Sequence, residues 1–163
     1  MFFQAQALLA IVLALPFFLA ARRTDPGISG FEVAGLLIWV AGVAGESLAD
    51  HQLARFKSDP ANRGKTCRAG LWRYSRHPNY FFEWLHWWAY AALAVGSVFW
   101  WIPVAAPLVM LYFLLKVTGI PPTEAQALAS RGDDYREYQR TTSAFIPWFP
   151  KKEADRDESD RSG

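Results

Sequence analysis

Gly70-Leu71-Trp72-Arg73-Tyr74-Ser75-Arg76-His77-Pro78-Asn79-Tyr80-Phe81-Phe82-Glu83-Trp84 is a polar cluster that runs without a break into an aromatic, apolar stretch. Pro78 suits the first turn of a helix, where its missing N–H is no loss. A helix starting there places Arg76, His77, Asn79, Tyr80 and Glu83 where hydrocarbon begins. An Arg or Asp at the centre of a membrane helix costs at least about 2.5–3.5 kcal/mol, and such groups are kept mostly where they do work. The stretch therefore marks a cofactor or substrate site.

Working outward, the 163 residues are 52% hydrophobic, yet the mean hydropathy is only +0.03. The average hides four apolar blocks with the charges between and after them. The blocks run from Phe2 to Ala21, Phe31 to Ala49, Pro78 to Ser97 and Val104 to Val117. A bilayer span takes about 20 apolar residues. The first block has no basic residue before it, and Arg22-Arg23 follow it, so it reads as a retained helix and not as a cleaved signal. Pro16 can kink it. Gly35, Gly42 and Gly45 give the second block a small-residue stripe suited to close helix packing. Gly119-Ile120-Pro121-Pro122 ends the fourth block. Thr123 is then expected to cap a soluble helix from Glu124 to about Ser130, with Gly132 closing it and a further short helix carrying Tyr135 and Tyr138.

The fold class expected is all-α: a multi-pass membrane helical bundle of about four transmembrane helices with a short cytoplasmic C-terminal helix. Residues 1–150 form one membrane-embedded domain, and residues 151–163 a charged, disordered tail. Between His51 and His77 lie seven Lys/Arg, at 55, 57, 63, 65, 68, 73 and 76, against the single acid Asp59. This stretch is read as a basic loop, and cytoplasmic loops carry the Lys/Arg excess. It places the site on the cytoplasmic face of a membrane, expected to be a bacterial inner membrane.

Two groups of residues can carry chemistry. Glu46 and Asp50 are four apart on one helix face, and a carboxylate suits paired ribose hydroxyls because it accepts two hydrogen bonds. Lys57 can meet a phosphate as a point charge. The plainer alternative is that all three face water. In the second group, Asn79 and Glu83 are one turn apart and Tyr80 and Glu83 three residues apart, so all three are expected to converge on one pocket. The helix start adds free N–H groups that favour an anion. A protonated Glu83 beside Tyr80 can polarise a carbonyl, whereas an ionised Glu83 can hold an ammonium; the alternative is a snorkelling interfacial cluster. Arg68 and Arg73 suit phosphate equally as cofactor or as lipid headgroup. Tyr135, Tyr138 and Arg140 can close over a cofactor or lie at the interface.

Glu83 and His86 share the Glu-x-x-His spacing of di-metal bundles. The motif occurs once, so no metal is expected. The lone Cys67 excludes an internal disulfide. No glycine fingerprint, P-loop or zinc motif occurs, and no nucleic-acid partner is expected.

The quoted stretch, with Glu46, Asp50 and Gln52 before it, Gly119-Ile120-Pro121, Tyr135-Arg136-Glu137-Tyr138 and Thr142-Ser143-Ala144-Phe145-Ile146-Pro147-Trp148 after it, resembles the DUF1295 family, related to the C-terminal region of steroid 5-alpha reductases. The resemblance covers nearly the whole chain to about Pro150. It implies a membrane oxidoreductase that uses NADPH to reduce an activated C=C bond in a lipid-like substrate. On that reading Asn79 and Tyr80 match the pair at the cofactor and active-site pocket, and Glu83 the carboxyl that contacts the substrate carbonyl. Glu46, Asp50 and Lys57 match a nucleotide-contacting triplet, with Glu46 replacing an Asn and Lys57 an Arg. Phe82 stands where the family usually has Gly. Catalytic residues are then Glu83 and Tyr80. Cofactor-binding residues are Asn79, Arg76, His77, Glu46, Asp50, Lys57, Arg73 and Tyr138. Family members are usually longer at the N-terminus, so partner helices or a homo-oligomer are expected to complete the pocket, beside membrane lipids.

Arg76-His77-Pro78-x-Tyr80, followed by Glu124, Gly132, Tyr135 and Tyr138, is also similar to isoprenylcysteine carboxyl methyltransferases and phospholipid N-methyltransferases. That resemblance implies S-adenosylmethionine, with Glu124 or Glu83 meeting its ammonium. Here Glu124 is followed by Ala125 and not by the usual second Glu. A third reading is a membrane protein without catalytic activity.

Overall fold

The computed structural model describes Ala14, residues 27–97 and residues 99–151. Apart from Ala14, the first apolar block lies outside the described residues, as does the charged tail from residue 152. The described chain is all-helical, with no strand and one isolated parallel bridge, Ser75 to Ser143. The helices are α1 (Gly30–Ser58), α2 (Pro78–Leu93), α3 (Ile102–Tyr112), α4 (Ile120–Arg131) and α5 (Asp133–Thr141). Single 3-10 turns lie at Pro60–Asn62 and Gly70–Arg73, and a π turn, Phe113–Val117, follows α3.

Two stretches are long and apolar enough to cross a membrane, Gly30–Ser58 and Ile102–Arg131. Only 11% of the apolar part of the first and 28% of the second is buried within the protein, so most of that apolar surface has no protein partner. The apolar run of the second stretch ends at Val117; α4 beyond it carries Glu124, Gln126, Ser130 and Arg131. The third expected span is shorter than its sequence block. α2 stops at Leu93, and Gly96 turns the chain with φ +91°. Its 16 residues reach roughly 24 Å at 1.5 Å per residue.

Two boundaries correct the sequence reading. The basic segment does not begin as a loop at His51, because α1 continues to Ser58. Residues 51–57 hold no Gly or Pro, and Ala49, Leu53 and Phe56 keep an apolar face at helical spacing. Asp59-Pro60 then breaks the helix, with the Asp59 carboxylate accepting from Ala61 N–H at 2.9 Å. Nor does Thr123 cap α4. The helix starts at Ile120 with Pro121 and Pro122 in its first turn, where an absent N–H is harmless, and the Thr123 hydroxyl donates back to Gly119 O at 2.8 Å.

The chain forms two compact units, Met1–Ala44 with Phe82–Phe113 and Gly45–Phe81 with Leu114–Gly163. In the first unit α1 packs on α2 through small residues. A Cβ at Gly35 would meet Leu93 Cγ at 3.0 Å, and one at Gly42 would run into His86 Cβ. Trp39 Nε1 donates to Tyr90 OH at 3.3 Å, and Trp84 Nε1 to Pro107 O at 3.1 Å. In the second unit Ala127, Tyr135 and Tyr138 form a buried cluster. The turn Gly70–Arg73 is fastened to α1 there: Trp72 Nε1 donates to Ala49 O at 2.8 Å and Leu71 N–H to Gln52 Oε1 at 2.9 Å. Gly70 sits at φ +59° with Gln52 against it, so a side chain has neither the backbone angle nor the space.

The Gly42 contact predicts that Gly42→Val forces α1 off α2 and destabilises the detergent-solubilised protein by about 1–3 kcal/mol, the usual cost of overpacking. Gly30→Ala, with nothing within 4 Å, serves as the unaffected control in thermal melts.

Candidate functional site: a cation-lined cavity in the second unit

The segment before α2 is tied down by a partly buried ion cluster. Arg76 Nε donates to Glu124 Oε1 at 2.6 Å. Its Nη1 donates to the carbonyls of Gln139 at 2.9 Å and Thr142 at 2.7 Å. These carbonyls lie at the C-terminal end of α5, where helices leave acceptors unsatisfied and a cation is favoured. His77 is 3% exposed. Its Nε2 lies 3.2 Å from Glu124 Oε1 and must carry the proton, since an ionised carboxylate only accepts. Gln139 Nε2 donates to Glu124 Oε2 at 2.7 Å, and Tyr135 OH approaches Oε1 at 3.4 Å. Four donors thus meet a group with about four lone-pair directions.

Burial alone would raise the Glu124 pKa, but the bonds from His77, Arg76 and Gln139 outweigh it and hold the carboxyl down at about 2. Burial, and then the Glu124 charge, push the Tyr135 phenol up to about 12. At the start of α5, burial raises the Asp134 pKa, but bonds from Thr66 and the Arg68 charge bring it below the usual value. Arg68 Nη2 lies 2.9 Å from Asp134 Oδ1, and Thr66 N–H donates to Asp134 Oδ2 at 2.7 Å.

Beside this cluster lies a cavity of about 610 Å³, within the roughly 300–1,000 Å³ of small-molecule sites. Its wall includes Lys57 from α1, Arg63 and Lys65 from the following turns, Arg76, His77, Asn79 and Tyr80 at the start of α2, Arg131 from α4, and Tyr138 from α5. Five of its lining residues are Lys or Arg, and none is Asp or Glu. Lys57, Arg63 and Lys65 make no ion pair with a described carboxylate. Arg131 lies over the Tyr135 ring at 4.9 Å. Cys67 also lines the cavity; it is 3% exposed, and burial pushes its thiol pKa up.

Asn79 Nδ2 donates to Asp50 Oδ1 at 3.0 Å. That bond fixes the orientation of the amide, because a carboxylate cannot donate. It leaves Asn79 Oδ1 buried with no hydrogen bond, an acceptor suited to an N–H of a bound ligand. The Tyr80 ring stacks on His77 at 5.3 Å, and its hydroxyl lies 3.2 Å from Thr123 Oγ1. Thr123 spends its only proton on Gly119 O, so Tyr80 is the donor and its own proton is already engaged.

Six of the ten residues singled out from sequence therefore share one wall: Lys57, Arg76, His77, Asn79, Tyr80 and Tyr138. Arg76 and His77 are turned to Glu124. Tyr138 is 2% exposed, and its hydroxyl serves the carbonyls of Trp72 and Ser75, with burial pushing its pKa up. The other four do not line the cavity. Asp50 holds the Asn79 amide instead. Glu46 lies one turn earlier on α1. Arg73 is exposed and borders a separate shallow depression, because the tight 3-10 turn that buries Trp72 sends the next side chain outward. Glu83, one turn after Asn79 on α2, is not among the residues that line this cavity. Sequence reading missed Arg63, Lys65 and Arg131 as lining residues. The first two lay in the basic run, but only folding separates them from the paired Arg68.

The chain belongs to the DUF1295 family, described as "Protein of unknown function (DUF1295)", which matches residues 1–142. No curated protein and no solved structure matches the chain.

The Glu124 cluster predicts an acid limb in stability. The folded-state pKa lies below the ordinary 4.5, so the carboxylate contributes stability that is full above about pH 4.5 and is lost as pH falls towards 2. Melting temperatures measured across this range should fall, and Glu124→Gln should flatten that dependence. At pH 7 the variant should be less stable by about 1–3 kcal/mol, the cost of leaving partly buried hydrogen-bonding groups without their charged partner.

Proposed function

We propose that this chain is a multi-pass membrane oxidoreductase that binds NADPH in the cation-lined cavity and reduces an activated C=C bond of a lipid-like substrate. The carrying observation is the charge of the wall: Lys57, Arg63, Lys65 and Arg131, beside the Arg76 that Glu124 neutralises, and no carboxylate lining about 610 Å³. Such a wall favours a ligand with phosphates and disfavours a cationic one. S-adenosylmethionine would need a free carboxylate for its ammonium, and all four donors at Glu124 are already in place. In orientation, the basic cavity belongs to the cytoplasmic face of a bacterial inner membrane, following the Lys/Arg rule.

The residues present fit the nucleotide. Lys57, Arg63, Lys65 and Arg131 hold its phosphates. The buried Asn79 Oδ1 accepts from an amide N–H, and Asp50 keeps that oxygen in place. Tyr80, stacked on His77 and donating to Thr123, supplies a rigid aromatic face. The cofactor supplies a hydride. The resemblance to steroid 5-alpha reductases assigns Glu83 to the substrate carbonyl, where a hydrogen bond from its carboxyl would stabilise developing negative charge.

Calorimetry on the detergent-purified chain at low salt is expected to show NADPH binding. Lys57→Ala and Arg63→Ala should each weaken it about tenfold, near 1.4 kcal/mol, and lower its salt sensitivity. Binding of S-adenosylmethionine instead would overturn the reading in favour of a methyltransferase, and binding of neither in favour of a non-enzymatic protein. A second prediction isolates the carboxyl: Glu83→Gln should keep NADPH affinity within about threefold while turnover of an enone lipid falls by about a hundredfold or more, as when one oxyanion donor is removed.

A further inference from the structure

The segment after α5 is held firmly yet turns its apolar side chains outward. Phe145 is 7% exposed and meets Phe81 edge-on at 5.8 Å. Trp148 N–H donates to Tyr74 O at 2.9 Å and Lys151 N–H to Thr141 O at 3.0 Å. Phe149 meets the Tyr74 ring edge-on at 5.9 Å. Between these ties Ile146, Trp148 and Phe149 remain 59%, 70% and 76% exposed. Pro147 and Pro150 fix φ within the same run. The backbone thus holds three large apolar groups mostly exposed, with only the Tyr74 contact of Phe149 among the ring contacts of the described residues to cover them.

A second observation lies next to the first. A shallow depression of about 340 Å³ is bounded by Arg68, Arg73, Thr141, Thr142 and Pro150. Arg68 is committed to Asp134, whereas Arg73 is exposed and makes no ion pair with a described carboxylate. Arg73 directly precedes Tyr74, the residue that anchors both Trp148 and Phe149. An unpaired guanidinium therefore sits beside an outward aromatic ridge, with two threonine residues next to it.

We propose that Ile146, Trp148 and Phe149 seat in the headgroup layer of an anionic phospholipid bilayer, with Arg73 on a lipid phosphate. The pairing of chemistries selects this occupant. Aromatic rings concentrate at the water–hydrocarbon boundary. Basic groups beside them are drawn to anionic headgroups, and Lys151, which ends the ridge, has the same sign. Two other stretches of this chain are long and apolar enough to cross a membrane. The ridge and the nucleotide cavity belong to the same unit, so the contact would hold that unit at the membrane surface. The proposal does not depend on what the cavity binds.

The test uses the full chain in nanodiscs of phosphatidylcholine with or without phosphatidylglycerol. A nitroxide is placed at Ile146→Cys in a Cys67→Ser background, and its accessibility to oxygen and to a water-soluble nickel chelate is measured. A label at Asp133→Cys, whose native side chain is 95% exposed, gives the aqueous reference. The label at 146 is expected to be several-fold more shielded from nickel than the reference while remaining open to oxygen. Trp148→Ser with Phe149→Ser should abolish that shielding, and Arg73→Gln, or omission of phosphatidylglycerol, should reduce it about twofold. Nickel access equal to the reference would overturn the proposal. So would shielding from both reagents, which marks a protein partner. Shielding indifferent to both phosphatidylglycerol and Arg73 would overturn the assignment of Arg73 to a lipid phosphate.

Discussion

The carboxylate of Glu124 holds three separate pieces of chain against one another: Arg76 and His77 from the segment entering α2, Tyr135 and Gln139 from α5, and α4, on which it sits. An isolated charge in such a place would be expelled or neutralised. Here the negative group meets a guanidinium, an imidazole N–H, an amide and a phenol, and the guanidinium in turn satisfies the carbonyls left open at the end of α5. The first turn of α2, which presents Asn79 and Tyr80, is placed by this arrangement. So is the bridge between Ser75 and Ser143, in which Arg76 N–H donates to Ser143 O at 2.8 Å.

Once Glu124 and Asp134 have taken Arg76 and Arg68, the remaining cations have a different meaning. Paired cations in the second unit do structural work, joining α4 and α5 to the segment before α2. Four of those that meet no described carboxylate stand at two places, while Arg55 stands at neither. Lys57, Arg63 and Lys65 gather around the cavity, and Arg73 stands beside the aromatic ridge. A basic count over residues 51–77 treats all seven as one population. The sorting comes from two carboxylates, at 124 and 134, far along the chain.

Asn79 shows how an unexceptional side chain becomes informative. Its type and position already suggested a polar contact at the start of α2. That its amide nitrogen faces Asp50 and its oxygen is buried without a partner follows only from the fold. The same holds for Tyr80, whose proton is engaged by Thr123 because Thr123 is bound to Gly119.

The helical class, the apolar stretches, the helix start at Pro78, the stop at Gly132 and the family were legible in the amino-acid sequence. Each is local: periodicity, glycine and proline chemistry and runs of apolar residues act over a few positions and need no distant partner. The extension of α1 to Ser58 was also local, but a run of basic residues hid an apolar face of only three members. Which polar groups are spent on holding the fold emerged from the three-dimensional arrangement alone. Arg76 and His77 read as ligand-binding residues because ionisable groups are costly near hydrocarbon, and Tyr138 because its segment can close over a cofactor. The carboxylate shared by Arg76 and His77 is 47 or more residues away, and the partners of Tyr138 are backbone carbonyls 63 and 66 residues away. Hydrogen-bond satisfaction depends on distance in space, and a linear pattern does not carry it.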